Sequence, residues 1–178
     1  MTVVWVEEVG STNTEAAEQA RLGVPHGWAV AARRQRTGRG RLGRTWEEAP
    51  GNLFLSVVLR PTLAPDALPW VTLGAGVVVA EVLGDPFRLK WPNDVLDAEG
   101  RKVAGVLCEA EWLHGALQAI VVGIGVNVAH APADVHATSL HAHGHDTDLA
   151  VLAERLRVGL ASLDVSTVPA RWRALSCT

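Results

Sequence analysis

Apolar residues fall into short blocks along this chain, divided by glycine, proline and small polar residues, and most blocks have strand length. Val3 to Val9 reads as a short strand. Ser11-Thr12-Asn13-Thr14-Glu15 then opens a helix, with Thr12 and Glu15 at capping-box spacing and Gly23 as its stop. Trp28 to Ala32 is a second strand, and Asn52 to Leu59, almost continuously apolar, is a buried third. Pro61 to Pro69 is a connection. Trp70 to Leu83 is an apolar helix whose Gly74 and Gly76 point to close packing against a sheet. Arg88 to Trp91 is a short strand stopped by Pro92. Arg101 to Trp112 and Ala116 to Val128 pair through a turn at His114-Gly115. Ala129 to Thr147 reads as loop, Leu149 to Leu163 as an amphipathic helix, and Val168 to Leu175 as a short helix.

Strands and helices mixed without strict β-α-β alternation predict an α+β domain. At 178 residues and 48% hydrophobic content, the chain suits one globular domain. No apolar run reaches membrane-spanning length without glycine or charge, and Met1 to Val9 lacks the basic start of a signal peptide. Cys108 and Cys177 are too few for a disulfide framework, so the expected setting is a reducing cytoplasm, with no membrane partner.

Charge changes the picture at one place. The chain carries a formal net charge of −3, yet Arg33, Arg34, Arg36, Arg39, Arg41 and Arg44 crowd around Gly38, Gly40 and Gly43, with Trp46 closing the run. Glycines let a backbone approach a ligand, and arginines offer planar forks to carboxylate and phosphate oxygens. A small-anion clamp and a nucleic-acid-binding tract both fit that composition; the short length and the flanking strands favour the clamp. The empty loop is expected to be mobile.

Other segments carry chemistry less clearly. Lys90-Trp91-Pro92-Asn93-Asp94 places an amide and a carboxylate on a constrained turn; Asp94 suits a metal ion or an attacking amine, but taken alone the segment is better explained by ordinary turn chemistry. Lys102 is one of only two lysines, the other being Lys90, and it stands beside small residues at the start of a strand. Gly123 and Gly125 interrupt a Val/Ile-rich strand, which marks close approach by a ligand or a backbone. The histidines from His130 to His145 have loose loop spacing and no thiolate partners, so no residue is assigned as a metal ligand. Cys108 reads as a structural thiol.

In this order the segments resemble the catalytic domain of biotin protein ligases, the biotin–[acetyl-CoA-carboxylase] ligases. The blocks that carry the likeness are Ser11-Thr12-Asn13; Gly38-Arg39-Gly40-Arg41-Leu42-Gly43-Arg44 with Trp46; Lys90-Trp91-Pro92-Asn93-Asp94; and Lys102-Val103-Ala104-Gly105 followed by Gly123-Ile124-Gly125-Val126-Asn127. The resemblance covers nearly the whole chain and implies a single catalytic domain over residues 1–178. The implied fold is a central mixed sheet flanked by helices, the class II synthetase-like fold shared with lipoate ligases. ATP and Mg²⁺ would activate biotin to biotinyl-AMP, and a lysine of a biotin carboxyl carrier domain, from acetyl-CoA carboxylase or another biotin-dependent carboxylase, would then accept the biotin.

By this resemblance Ser11, Thr12, Asn13 and Gln35 bind the biotin head. Gly38, Arg39 and Arg41 wrap its carboxylate and the phosphate, and Gly105 and Gly123 leave it room. Arg39, Arg41, Arg44, Trp46, Asn93 and Asn127 face the nucleotide. Lys102, Arg39 and Asp94 are the implied catalytic residues. Larger members carry an N-terminal DNA-binding domain and many add a small C-terminal domain; neither is expected within these 178 residues, and no DNA partner is implied. Leu42 stands where some relatives have arginine. A homodimer is left open. Two alternatives remain: a lipoate or octanoate ligase or transferase of the same fold, and a noncatalytic binder of biotin or nucleic acid.

Overall fold

The computed structural model describes residues 2–63, 67–133 and 135–177. The connection expected from Pro61 to Pro69, the loop expected from Ala129 to Thr147, and the chain end at Thr178 lie partly outside these described residues.

Seven strands form one sheet: β1 (Val4–Val9), β2 (Trp28–Gln35), β3 (Leu53–Leu59), β4 (Arg88–Lys90), β5 (Asp94–Leu96), β6 (Lys102–Leu113) and β7 (Ala116–Val126). Their spatial order is β1-β2-β3-β7-β6-β5-β4. Helix α1 (Thr12–Arg21) crosses over between β1 and β2, which pair in parallel; the other neighbouring strands pair antiparallel. Helices α2 (Leu68–Leu83), α3 (Leu149–Ala161) and α4 (Val168–Leu175) complete an α+β fold with a mixed sheet, as expected.

Alternation along the strands decides which face each helix covers. On β3, Leu53, Leu55, Val57 and Leu59 join the large core that includes Val77 and Ala80 of α2 and Leu152 and Leu156 of α3. On the other face, Val58 meets Ala16 and Ala20 of α1, together with Val30, Ala119 and Val121. A ten-residue helix cannot cover a seven-stranded sheet, so part of this second face stays open toward β6 and β5.

Several expectations need adjustment. Strand β2 runs on to Gln35 rather than stopping at Ala32, because Val9 pairs with Gln35 and extends the ladder. Three-residue β5 was not foreseen, being too short for any period to show. Asp94 therefore opens a strand, paired with Lys90 across the turn at Trp91-Pro92-Asn93. Gly74 packs against Leu163 and Val168 instead of a strand: a Cβ there would lie 2.8 Å from Leu163 Cδ2. The expected loop after β7 holds a short 3₁₀ turn, His141–His143, and His143 is drawn inward to Asp97 and Phe87 rather than solvated.

Buried side chains tie the long connections down. Asn52 Oδ1 accepts from the backbone N–H groups of Val128, Ala129 and His130 at 3.0–3.1 Å. Asp97 closes the β5–β6 connection by accepting from Glu99 N (3.0 Å), Arg101 N (2.8 Å) and Arg101 Nε (2.7 Å). Burial pushes the Asp97 carboxyl upward, but the Arg101 amide and guanidinium and the Glu99 amide outweigh it and hold its pKa below the usual carboxylate value. Stabilisation from the charged form is therefore complete above about pH 4 and is lost as pH falls through the lowered folded value. Asp97→Asn should cost about 2 kcal/mol at pH 7, since an amide N–H₂ would face donors. Urea melts from pH 7 to pH 2 should show the gap between the two proteins closing below about pH 4. A gap that persists at pH 2 would mean that charge is not what the turn needs.

Candidate active site

A cavity of about 380 Å³ opens on the part of the sheet that α1 leaves uncovered. Its floor is two rows of residues running across the strands. Phe54, Gly125, Gly105 and Asp94 lie side by side on β3, β7, β6 and β5, and Gly123 and Leu107 continue the adjacent row from Ser56, which is buried beneath Thr12 and Asn13.

One end is neutral and polar. Ser11 is the N-cap of α1 but makes no side-chain cap bond, and it lines the cavity. The capping box expected from Thr12 and Glu15 does not form; helix α1 begins at Thr12, and its hydroxyl turns to the sheet instead. Thr12 donates to Gln35 Oε1 from its N–H (2.9 Å) and its hydroxyl (3.1 Å). Ser56 Oγ lies 2.8 Å from Thr12 Oγ1 and 2.6 Å from Asn13 Oδ1. Asn13 Oδ1 can only accept, so the serine's single proton belongs to that short contact. Asn13 Nδ2 donates to Glu109 Oε2 at 2.6 Å, which sets the amide's orientation.

The other end is cationic. Arg39, Arg41, Arg44 and Lys102 line it against the carboxylate of Asp94. Lys102 Nζ is 2.6 Å from Asp94 Oδ1 and 5.1 Å from the centroid of the Trp46 ring. Arg41 donates to Asn93 Oδ1 at 3.4 Å, while Asn93 Nδ2 donates to Val106 O at 2.9 Å and fastens the turn to β6. Arg39 Nη2 reaches both Glu109 oxygens, at 3.2 and 3.1 Å, and Nη1 donates to Thr14. The arginine-glycine loop is a small hairpin closed by Gly40 N to Arg44 O (2.7 Å) and Trp46 N to Gly38 O (3.0 Å). Its tip, Leu42, has φ of 58° and is 88% exposed.

The strand glycines do make room, but protein atoms take it. A Cβ on Gly123 would stand 2.1 Å from Asn13 Oδ1, and one on Gly125 would stand 2.3 Å from Trp46 Cε2. Gly105 is likewise covered by Trp46 and the Lys102 side chain. Gly38 and Asn127 do not line the cavity. Gly38 is buried under Gln35 and Trp46, and Asn127, 3% exposed, donates from Nδ2 to Lys102 O (3.2 Å) and Thr138 O (3.1 Å) behind the wall. The indole Nε1 of Trp46 is buried against β7, 2.8 Å from where a Cβ on Gly125 would stand.

Sequence reasoning missed Ser56 and Glu109. Ser56, fully buried, is the lone polar residue of β3, and that break in an apolar run was a usable signal. Glu109 carried no comparable mark on β6. Burial pushes the Cys108 thiol up to about 11, so it is no nucleophile. Among the described residues, no group of three His, Cys, Asp or Glu side chains stands together to hold a metal ion.

A profile of the Biotin/lipoate A/B protein ligase family matches residues 5–127. The bifunctional ligase/repressor BirA of Bacillus subtilis is 35% identical over 137 residues, which is 74% of this chain and 42% of that protein. The biotin–[acetyl-CoA-carboxylase] ligases of Paracoccus denitrificans and Mycobacterium tuberculosis are 41% and 39% identical, over 68% and 76% of this chain and 52% and 53% of theirs. The chain thus spans about half the length of these relatives. The biotin protein ligase of Aquifex aeolicus in complex with biotin and ATP superposes with a TM-score of 0.75 at 33% identity, covering 98% of this chain and 73% of that one. The Leishmania major enzyme shares the fold at a TM-score of 0.84 and 24% identity, over 98% of this chain and 81% of that one.

Seating of Trp46 on bare backbone is testable. Gly125→Ala must push the indole off the floor, and the hairpin it anchors should loosen. Chymotrypsin should then cut after Leu42 about tenfold faster, the factor that about 1.4 kcal/mol of anchoring predicts. Equal cleavage rates would show that the loop is held elsewhere.

Proposed function

The chain belongs to the biotin/lipoate A/B protein ligase family, and we propose that it is an ATP-dependent biotin protein ligase acting on a lysine of a biotin carboxyl carrier domain. One observation carries this reading: a single cavity joins a neutral hydrogen-bonding end, at Thr12, Gln35 and Asn13, to a cationic end, at Lys102, Arg39 and Arg41. Biotin has that polarity, a neutral ureido head and a carboxylate tail, and the Aquifex relative was crystallised with biotin and ATP. Residues 1–178 act as the catalytic unit.

Ser11, Thr12, Asn13 and Gln35 hold the ureido group. The tail runs toward Lys102, and its carboxylate oxygen attacks the α-phosphorus of ATP as the bond to the bridging oxygen breaks and pyrophosphate leaves. Lys102 and Arg41 offset the negative charge that builds on the reacting oxygens, a preorganised electrostatic role. Asp94 keeps the ammonium of Lys102 in place at 2.6 Å. Arg44, Asn93 and the ring of Trp46 line the nucleotide side of the same end. Arg39 and the hairpin close over the mixed anhydride and keep water out. The carrier's lysine amine then attacks the acyl carbon, AMP leaves with the former carboxylate oxygen, and the amine proton passes to the Asp94 carboxylate and on to solvent. We assign Asn127 to the nucleotide side only through Lys102, whose backbone it holds.

Mg²⁺ would enter with the nucleotide phosphates and its own water ligands. Asp94 is the carboxylate of the cavity wall and is already paired with Lys102, so these residues do not form a magnesium site by themselves. Among the described residues, no helix is long and apolar enough to cross a membrane; we place the reaction in the cytoplasm.

Pyrophosphate release with ATP plus biotin, set against ATP plus lipoate, tests the substrate, and labelling of a carrier domain tests the transfer. Release with lipoate alone would give the cavity to the sister activity. Lys102→Ala should lower biotin-dependent release about a hundredfold to a thousandfold, with stability changed by no more than about 1 kcal/mol. Near-normal turnover by the folded variant would shift the first step onto the arginines.

A further inference from the structure

Polar contacts run unbroken from the centre of the sheet to the hairpin: Ser56 to Asn13 Oδ1 (2.6 Å), Asn13 Nδ2 to Glu109 (2.6 Å), and Glu109 to Arg39 (3.1 and 3.2 Å). Every link is directional. Ser56 is fully buried on β3 and has one proton to give. Asn13 is 5% exposed and rests on Gly123 with no freedom to flip, because a carboxylate faces its nitrogen. Glu109 is fixed by strand pairing opposite Val121, with an exposed side toward the hairpin. Arg39 is the last link, and its other fork arm is held by Thr14 of α1. Asn13 of the cavity floor and Arg39 of the hairpin thus share one carboxylate, that of Glu109.

We propose that Glu109 is a positioning residue: through one carboxylate it couples the ureido-binding floor at Asn13 to Arg39, and so sets how well the hairpin retains the acyl-adenylate. This rests on the ligase reading for its ligand, though not for its geometry. Glu109 touches neither reacting group. It acts by holding Arg39 down and by orienting Asn13, two tasks that substitutions can separate. Glu109→Gln keeps an oxygen for Asn13 and loses the charge for Arg39; Glu109→Ala loses both.

The readout is pyrophosphate formed per biotin transferred to a carrier domain, a ratio that does not depend on the fraction of folded enzyme. It should stay near its wild-type value in Glu111→Ala, a second β6 carboxylate, which pairs with Arg21 at the end of α1. It should rise about fivefold in Glu109→Ala and Glu109→Gln, the factor an ion pair of about 1 kcal/mol supplies. KM for biotin should rise in Glu109→Ala alone. The Arg39→Ala/Glu109→Ala double variant should leak no more than Arg39→Ala, because both act through one contact. Chymotryptic cleavage after Leu42, read without substrates, should be faster in both Glu109 variants. Unchanged ratios, additive leakage, or unchanged cleavage would overturn the coupling. A wild-type protein that releases no pyrophosphate with biotin would instead overturn the ligase reading, and the cleavage rates would then decide the coupling by themselves.

Discussion

Close approach to bare strand backbone is the constraint on which the rest of this site depends. Gly123 and Gly125 stand on the central strand β7 and give up side chains that a buried strand would otherwise use for packing. Into that space come Asn13, from the first turn of α1, and Trp46, from the end of the hairpin. These two residues hold the helix and the loop at a fixed height above the sheet, and the cavity is what lies between them. Ordinary side chains at either glycine would raise one of its walls off the floor.

Three of the six clustered arginines meet acids within the same fold. Arg34 lies against Glu48 and Glu8, Arg36 against Glu8, and Arg39 against Glu109. These side chains are exposed, and each such pair is worth at most about 1 kcal/mol. Together with three backbone bonds they fold the hairpin. Mutual repulsion among the clustered arginines is thus offset in part, at Arg34, Arg36 and Arg39, by acids outside the run.

The neutral end follows a different rule. Its hydroxyls and amides are buried and mutually bonded, so their donor and acceptor directions are set before any ligand arrives. Preorganisation of this kind favours a ligand whose own pattern matches and penalises one that leaves a buried group unpaired. Specificity for the head group and hold on the anionic tail therefore come from two chemistries placed at opposite ends of one cavity, joined by a floor with glycines at its middle positions.

Much of this was legible in the sequence. The apolar runs of β3, β6, β7 and α2 and the helices after Leu149 all follow from local pattern, since burial acts on each element separately. The clustered arginines, the scarce lysines and the paired strand glycines marked the residues that meet at the cavity. Sequence could not show what occupies the space above those glycines, because an absent side chain does not name its neighbour. Nor could it show Glu109 reaching Arg39 across 70 residues, the inward turn of Thr12 in place of a cap, or the withdrawal of Asn127 behind the wall. Composition decides which groups are present, and local pattern decides the elements. Which donor meets which acceptor depends on strand register and crossover, and these long-range pairings exist only in the folded sheet.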